Sequence, residues 1–166
     1  MAETLHFLDI FAILRKHNVE YIVTGGISAV LQGAPVTTFD LDVVHKRTPE
    51  NVHNLQKALA ELEAVYRFPK TPKISPRRES LLGEGHHLLL SKYGPIDVLG
   101  IIGQQQTYSD LQSDVVEFEL DDILIRVQSL RSLIETKRAV GRQKDLMIIP
   151  ILEQTLKEQE YQEEPK

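Results

Sequence analysis

Apolar residues recur at Leu5, Leu8, Ile10, Phe11 and Leu14, a helical rhythm that predicts a first helix running out at Lys16-His17-Asn18, a basic last turn and a helix-stopping residue. Glu20 to Thr24 is a short aliphatic and aromatic run, hence a strand, and it stops at Gly25-Gly26. Ile27 to Gln32 then predicts a second helix closed by Gly33, so the order is strand, glycine turn, helix. Phe39 to Val44 predicts a second strand, and Thr48-Pro49-Glu50-Asn51 carries the cap and first-turn proline of a long helix with Leu55, Leu59 and Leu62 as its apolar stripe.

Between Arg67 and Arg78 the chain is basic and proline-rich with no acidic residue, which predicts an extended loop. Leu88 to Leu90 and Ile96 to Leu99, separated by Tyr93-Gly94-Pro95, predict a hairpin. Val115 to Leu120 and Ile123 to Gln128, joined by Asp121-Asp122, predict another. A helix is expected from Ser129, with Leu130, Leu133 and Ile134 on one side, and a last helix from about Gln143 in which Pro150 can introduce a kink. These elements define an α/β (α+β) class, a short mixed sheet packed against helices.

The chain has 166 residues, enough for one domain with a real core, expected over 1–157 with a polar, frayed tail over 158–166. The absence of cysteine excludes disulfides and thiolate metal sites and fits a reducing compartment. No apolar run reaches the roughly 20 residues of a membrane helix. The opening Met1-Ala2-Glu3-Thr4 lacks the basic and then apolar pattern of a secretory signal, so a cytoplasmic address without membrane partners is expected. A net charge of -5 argues against broad wrapping of nucleic acid but leaves room for a local basic patch.

The candidate chemistry begins with Asp40-Leu41-Asp42. Side chains alternate across a strand, so Asp40 and Asp42 share one face while Leu41 and Val43 enter the core. Asp97 adds a third acid among Ile96, Val98 and Leu99, and a carboxylate so placed needs a cation or hydrogen-bond donors. Three acids suit two divalent ions, Mg²⁺ or Mn²⁺, of the kind that in phosphoryl transfer sit roughly 3.5–4 Å apart and stabilise the attacking and leaving oxygens. Asp40 and Asp42 would bridge the pair and Asp97 would bind the ion that activates the attacking hydroxyl. Gly25-Gly26 lets backbone N–H groups approach phosphate, and Ser28 offers a hydroxyl beside them. The plainer readings are a strand end for the acids and a simple turn for the glycines. Arg67, Lys70, Lys73, Arg77 and Arg78 could receive a phosphate backbone, although such loops are commonly only solvated. His86 and His87 read as structural or as a minor substrate contact.

The run Thr24-Gly25-Gly26, a thirteen-residue gap and Asp40-Leu41-Asp42 resembles the signature of the DNA polymerase β superfamily of nucleotidyltransferases. Gly33-Ala34-Pro35-Val36-Thr37-Thr38-Phe39-Asp40-Leu41-Asp42 is similar to the corresponding segment of the AbiE and MenT type toxin nucleotidyltransferases, with Thr38 where that group has threonine. Lys137-Arg138-Ala139 followed by Gly141-Arg142-Gln143-Lys144-Asp145 resembles their Lys, Arg and basic-Asp motif. Val36 departs from an arginine common there, and Ile148 from an aspartate. The resemblance implies a polymerase β-like fold and metal-dependent transfer of a nucleoside monophosphate from an NTP to a hydroxyl on RNA or a tRNA end, on a protein, or on a small molecule. It also implies a toxin-like role beside an antitoxin protein. In that frame Lys137 reaches the donor phosphates, and Asp145 orients Lys144 or Arg142. The competing reading, to which Val36 and Ile148 lend weight, is a catalytically weak nucleotide-binding regulatory protein.

Overall fold

The computed structural model describes residues 4–163. Its strands are β1 (Tyr21–Thr24), β2 (Leu41–His45), β3 (Val65–Tyr66), β4 (His86–Ser91), β5 (Gly94–Leu99), β6 (Val115–Leu120) and β7 (Ile123–Gln128). They form one mixed sheet in the order β3-β4-β5-β2-β1-β7-β6. The pairs β2/β5 and β1/β7 are parallel and the other neighbours antiparallel. The helices are α1 (Phe7–Lys16), α2 (Gly25–Leu31), α3 (Pro49–Glu61), α4 (Arg78–Leu82), α5 (Tyr108–Leu111), α6 (Leu130–Val140) and α7 (Gln143–Glu163). The α/β class expected from the sequence is the one observed.

Local chemistry fixes several boundaries where the sequence places them. The Thr48 side chain accepts a hydrogen bond from Asn51 N at 3.2 Å at the start of α3, and Ser129 accepts one from Ser132 N at 3.1 Å at the start of α6. Gly141, at φ 68°, ends α6 in the left-handed conformation. Asp121 and Asp122 have φ of 49° and 64°, and two positive φ values are what a two-residue hairpin turn needs to match the twist of β6 and β7.

Alternation along the central strands sorts side chains into two layers. Leu41 and Val43 of β2 and Ile96 and Val98 of β5 pack with Phe11, Leu14, Leu55 and Leu62 beneath α1 and α3. On the other face Ile22, Val44 and Leu99 meet Ile102, Tyr108 and Leu111. Ala29, Leu130, Leu133, Ile134 and Leu152 form a smaller cluster that joins α2, α6 and α7. Both faces of the sheet are covered, because Val44 and Leu99 follow the acids on their own face and are buried too.

Several boundaries differ from the sequence reading. Gly25-Gly26 forms the first turn of α2 instead of a turn before it, and β2 begins at Leu41, which leaves Asp40 at its mouth. The two-residue β3, the five-residue α4 and the four-residue α5 were not expected, being too short to show a period. Helix α7 passes through Pro150 and continues to Glu163. The frayed tail expected from residue 158 is therefore helical as far as it is described, and Gln159 Nε2 donates to Gln32 O at 2.8 Å; residues 164–166 lie outside the described residues.

A buried amide network ties the end of β1 to α6. Gln128, fully buried, accepts from Thr24 Oγ1 through Oε1 and donates through Nε2 to Ser132 Oγ at 2.8 Å and Thr136 Oγ1 at 2.9 Å. Gln32 Nε2 donates to Gln128 O and Ser28 O, each at 2.9 Å, while Gln32 Oε1 accepts from Leu130 N at 3.1 Å. A buried hydroxyl deprived of its partner is costly, so Gln128→Ala is expected to lower stability by roughly 2–4 kcal/mol, read as a shift of the urea midpoint at constant slope.

Candidate active site

Strand register assembles the acids. Asp42 and Asp97 lie directly opposite each other in the parallel pair β2/β5, and Thr24, the last residue of β1, lies opposite Asp42 on the other side. Asp40, one residue before β2, turns back toward the same place. One carboxylate oxygen from each of Asp40, Asp42 and Asp97 falls within 4.8 Å of the others, and among the described residues no second group of three metal-capable side chains converges so.

Asp42 is the most perturbed acid. Burial pushes its carboxyl up, the neighbouring charge of Asp40 pushes it further, and the positive charges of Lys137, Arg67 and Lys144 only partly offset them, leaving it at about 7. Three half-buried carboxylates whose charge the nearby cations only partly offset fit a hard divalent cation. Gly25 is part of the same construction: its φ is 66°, and a Cβ there would stand 2.1 Å from Asp42 Oδ2. At Gly26 a Cβ would stand 2.5 Å from the Thr38 Cβ. Both glycines are therefore required by side chains pressed against their backbone. Thr38 in turn donates through Oγ1 to Asp40 O at 3.1 Å, which braces the loop that delivers Asp40.

The corner between α6 and α7 supplies cations. Asp145, 2% exposed, accepts from Arg142 Nε at 2.7 Å and pairs with Lys137 Nζ at 3.4 Å. Burial raises the Asp145 carboxyl, but the Arg142 hydrogen bond and the charges of Lys137 and Arg142 outweigh it and hold the group below the usual carboxylate range. Asp145 thus orients Arg142 and Lys137, whereas Lys144 acts on Asp42 as a nearby charge. The Ser28 side chain is fully buried, and its hydroxyl donates to Gly25 O at 2.7 Å. Val36 and Ile148, the two departures from the toxin pattern, both pack against the small cluster joining α2, α6 and α7, where apolar side chains belong.

Arg67 is the site residue that the sequence reading assigned elsewhere. Its N–H donates to Leu88 O at 3.0 Å, and Leu88 lies opposite Asp97, so the side chain reaches across one strand to form an ion pair with Asp97 and stand 3.9 Å from Asp40 Oδ2. Lys70 and Lys73 remain exposed in the loop beyond. Phe39 and Phe68, adjacent in sequence to Asp40 and Arg67, are 79% and 78% exposed. The histidines are engaged elsewhere: His87 Nδ1 hydrogen-bonds the Tyr66 hydroxyl at 2.7 Å and His86 Nε2 donates to Ile101 O at 2.7 Å. Among the described residues no helix is long and apolar enough to cross a membrane.

Residues 6–80 match the family model described as aminoglycoside-2''-adenylyltransferase, a span short of half the chain that contains the glycine pair, Asp40, Asp42 and Arg67 and ends before Asp97. No curated protein matches the chain. A crystal structure of a Thermotoga maritima protein, titled as a candidate nucleotidyltransferase, superposes with a TM-score of 0.57 over 87% of this chain and 88% of that one, at 20% sequence identity. That likeness establishes a nucleotidyltransferase fold, consistent with the polymerase β type. With the family match it supports a place in the nucleotidyltransferase superfamily; neither bears on the narrower resemblance to the toxin enzymes.

Proposed function

We propose that this protein transfers a nucleoside monophosphate from an NTP to a hydroxyl acceptor, with release of pyrophosphate. The observation that carries the reading is the convergence of Asp40, Asp42 and Asp97 at the Gly25-Gly26 turn. Divalent ions held by those three carboxylates would supply charge neutralisation at the reacting phosphate. The glycine turn offers backbone N–H groups to phosphate oxygens, and Lys137, fixed by Asp145, faces the acids as a point charge for the triphosphate. Asp97, on β5, which lies closer to the basic loop than the β2 of Asp42, is read as the acid that would receive the acceptor hydroxyl.

For the acceptor, RNA is the favoured reading. Arg67, Lys70 and Lys73 on the loop after β3, with exposed Phe39 next to Asp40 in sequence and exposed Phe68 next to Arg67, combine cations for a phosphate backbone with flat apolar surfaces for bases. The second reading, a small polyhydroxylated molecule, takes its support from the aminoglycoside adenylyltransferase family match. A polycationic aminoglycoside would have to approach past the same basic side chains.

The test is label incorporation from each of four α-labelled NTPs with Mg²⁺, offering total RNA, total protein and an aminoglycoside panel. Label on RNA is expected. Label confined to an aminoglycoside assigns the small-molecule class, and tight NTP binding with no labelled acceptor favours a regulatory nucleotide-binding protein. Lys137→Ala is expected to weaken NTP binding about tenfold or more whatever the acceptor, because charge-assisted contacts are each worth about 1.5–3 kcal/mol; calorimetric titration of NTP checks it.

A further inference from the structure

Arg67 pairs with Oδ1 of Asp97, one of the three acids that converge as candidate cation ligands. Its guanidinium pairs with Asp97 and stands over Asp40, while its Nε is buried without a partner, so among the described residues the acids are the polar groups that hold the side chain. Its backbone is the root of a loop that closes on itself through Tyr66 N donating to Ile74 O at 2.8 Å, and residues 68–75 of that loop are exposed. A guanidinium and a divalent ion cannot share the same carboxylate oxygen at full strength, since each satisfies the same lone pairs. The opposing cations, Lys137, Arg142 and Lys144, come from the α6–α7 corner and touch Asp145 or act on Asp42, so among the described residues Arg67 is the cation paired with Asp97.

We infer that Arg67 is a positioning residue that latches the acid cluster in the cation-free protein, and that loading a divalent ion releases its guanidinium and, with it, the exposed loop over 68–73. The inference rests on the metal-dependent reading above. In this arrangement Arg67 lowers the intrinsic cation affinity of the empty cluster and couples occupancy of the acids to freedom of the basic loop.

The experiment uses nucleotide-free protein. Mn²⁺ binding followed by the free-ion EPR signal should be tighter in Arg67→Gln than in the wild type by about tenfold, with Arg67→Lys in between, because lysine keeps the charge but loses the planar fork. The cysteine-free sequence permits a single nitroxide at Thr71→Cys. Its spectrum should become more mobile when Mg²⁺ is added to protein with Arg67 intact, and should already be mobile before Mg²⁺ with Arg67→Gln. Equal or weaker Mn²⁺ affinity in the variants, or a label that does not respond to Mg²⁺ when the wild-type cluster demonstrably binds Mn²⁺, overturns the latch. Failure of the wild type itself to bind Mn²⁺ overturns the metal reading, and the latch with it. The label measurement retains Arg67, so it decides the matter even where Arg67→Gln does not fold.

Discussion

Asp42→Asn is expected to abolish transfer and, in the absence of divalent ion, to make the protein more stable. The loss follows from removing a carboxylate at the centre of the cluster, opposite Asp97 in register and against Gly25; several kcal/mol of transition-state stabilisation corresponds to about a thousandfold or more in rate. The gain follows from linkage. Burial, with the charge of Asp40, raises the folded carboxyl to about 7 from its ordinary 3.8, so between these values the unfolded chain ionises while the folded one resists. The folded state then binds more protons than the unfolded state, and stability falls as pH rises through that window. The penalty is absent below about pH 4 and complete above pH 7, on the order of a few kcal/mol. Thermal melts of wild type and Asp42→Asn without metal should coincide near pH 4 and separate, with the variant higher, by pH 8. Added Mg²⁺ should raise the wild type alone. Full turnover by the variant in Mg²⁺ would remove Asp42 from the reaction.

What the sequence reveals of this site depends on how local each determinant is. The alternation of Leu41, Asp42 and Val43, the Thr48 cap, the helix start at Ser129 and the Asp121-Asp122 turn are set by neighbours within a few residues, and each was legible. Asp97 was legible as a charge among apolar residues, although its partner on β2 is fixed only by the parallel register. Arg67 was not. It reads as one of several cations in a proline-rich loop, and its reach to Asp97 follows from a two-residue strand whose pairing beside β4 leaves no periodic trace. The burial of Ser28 was hidden for a related reason: in one dimension it is a serine beside a glycine turn, and only the first turn of α2 directs its hydroxyl inward to Gly25 O. The helical run beyond residue 158 was hidden because it is almost wholly polar, and its place is fixed by long-range contacts such as Gln159 to Gln32 and Arg131 to Glu160.

Gly25→Ala is expected to remove most of the activity through a single methyl group. Two costs arise at this position. The backbone φ of 66° is unfavourable for an L residue, a penalty of about 1–2 kcal/mol, and the added Cβ would stand 2.1 Å from Asp42 Oδ2, a distance that the carboxylate must give up. Displacing a reacting group by about 1 Å is enough to cost roughly a hundredfold in rate, and here the displaced group is the central acid of the cluster. Gly33→Ala separates these causes. Gly33 also has positive φ, at 92°, but nothing stands within 4 Å of the position its Cβ would take. Gly33→Ala should therefore lose stability by a similar backbone term while keeping its transfer rate per folded molecule, whereas Gly25→Ala should lose both stability and about two orders of magnitude in kcat. Parallel urea melts and initial rates, compared under conditions in which every variant is folded, make the distinction. Equal activity in the two variants would mean that the contact between Gly25 and Asp42 does not set the geometry of the reaction.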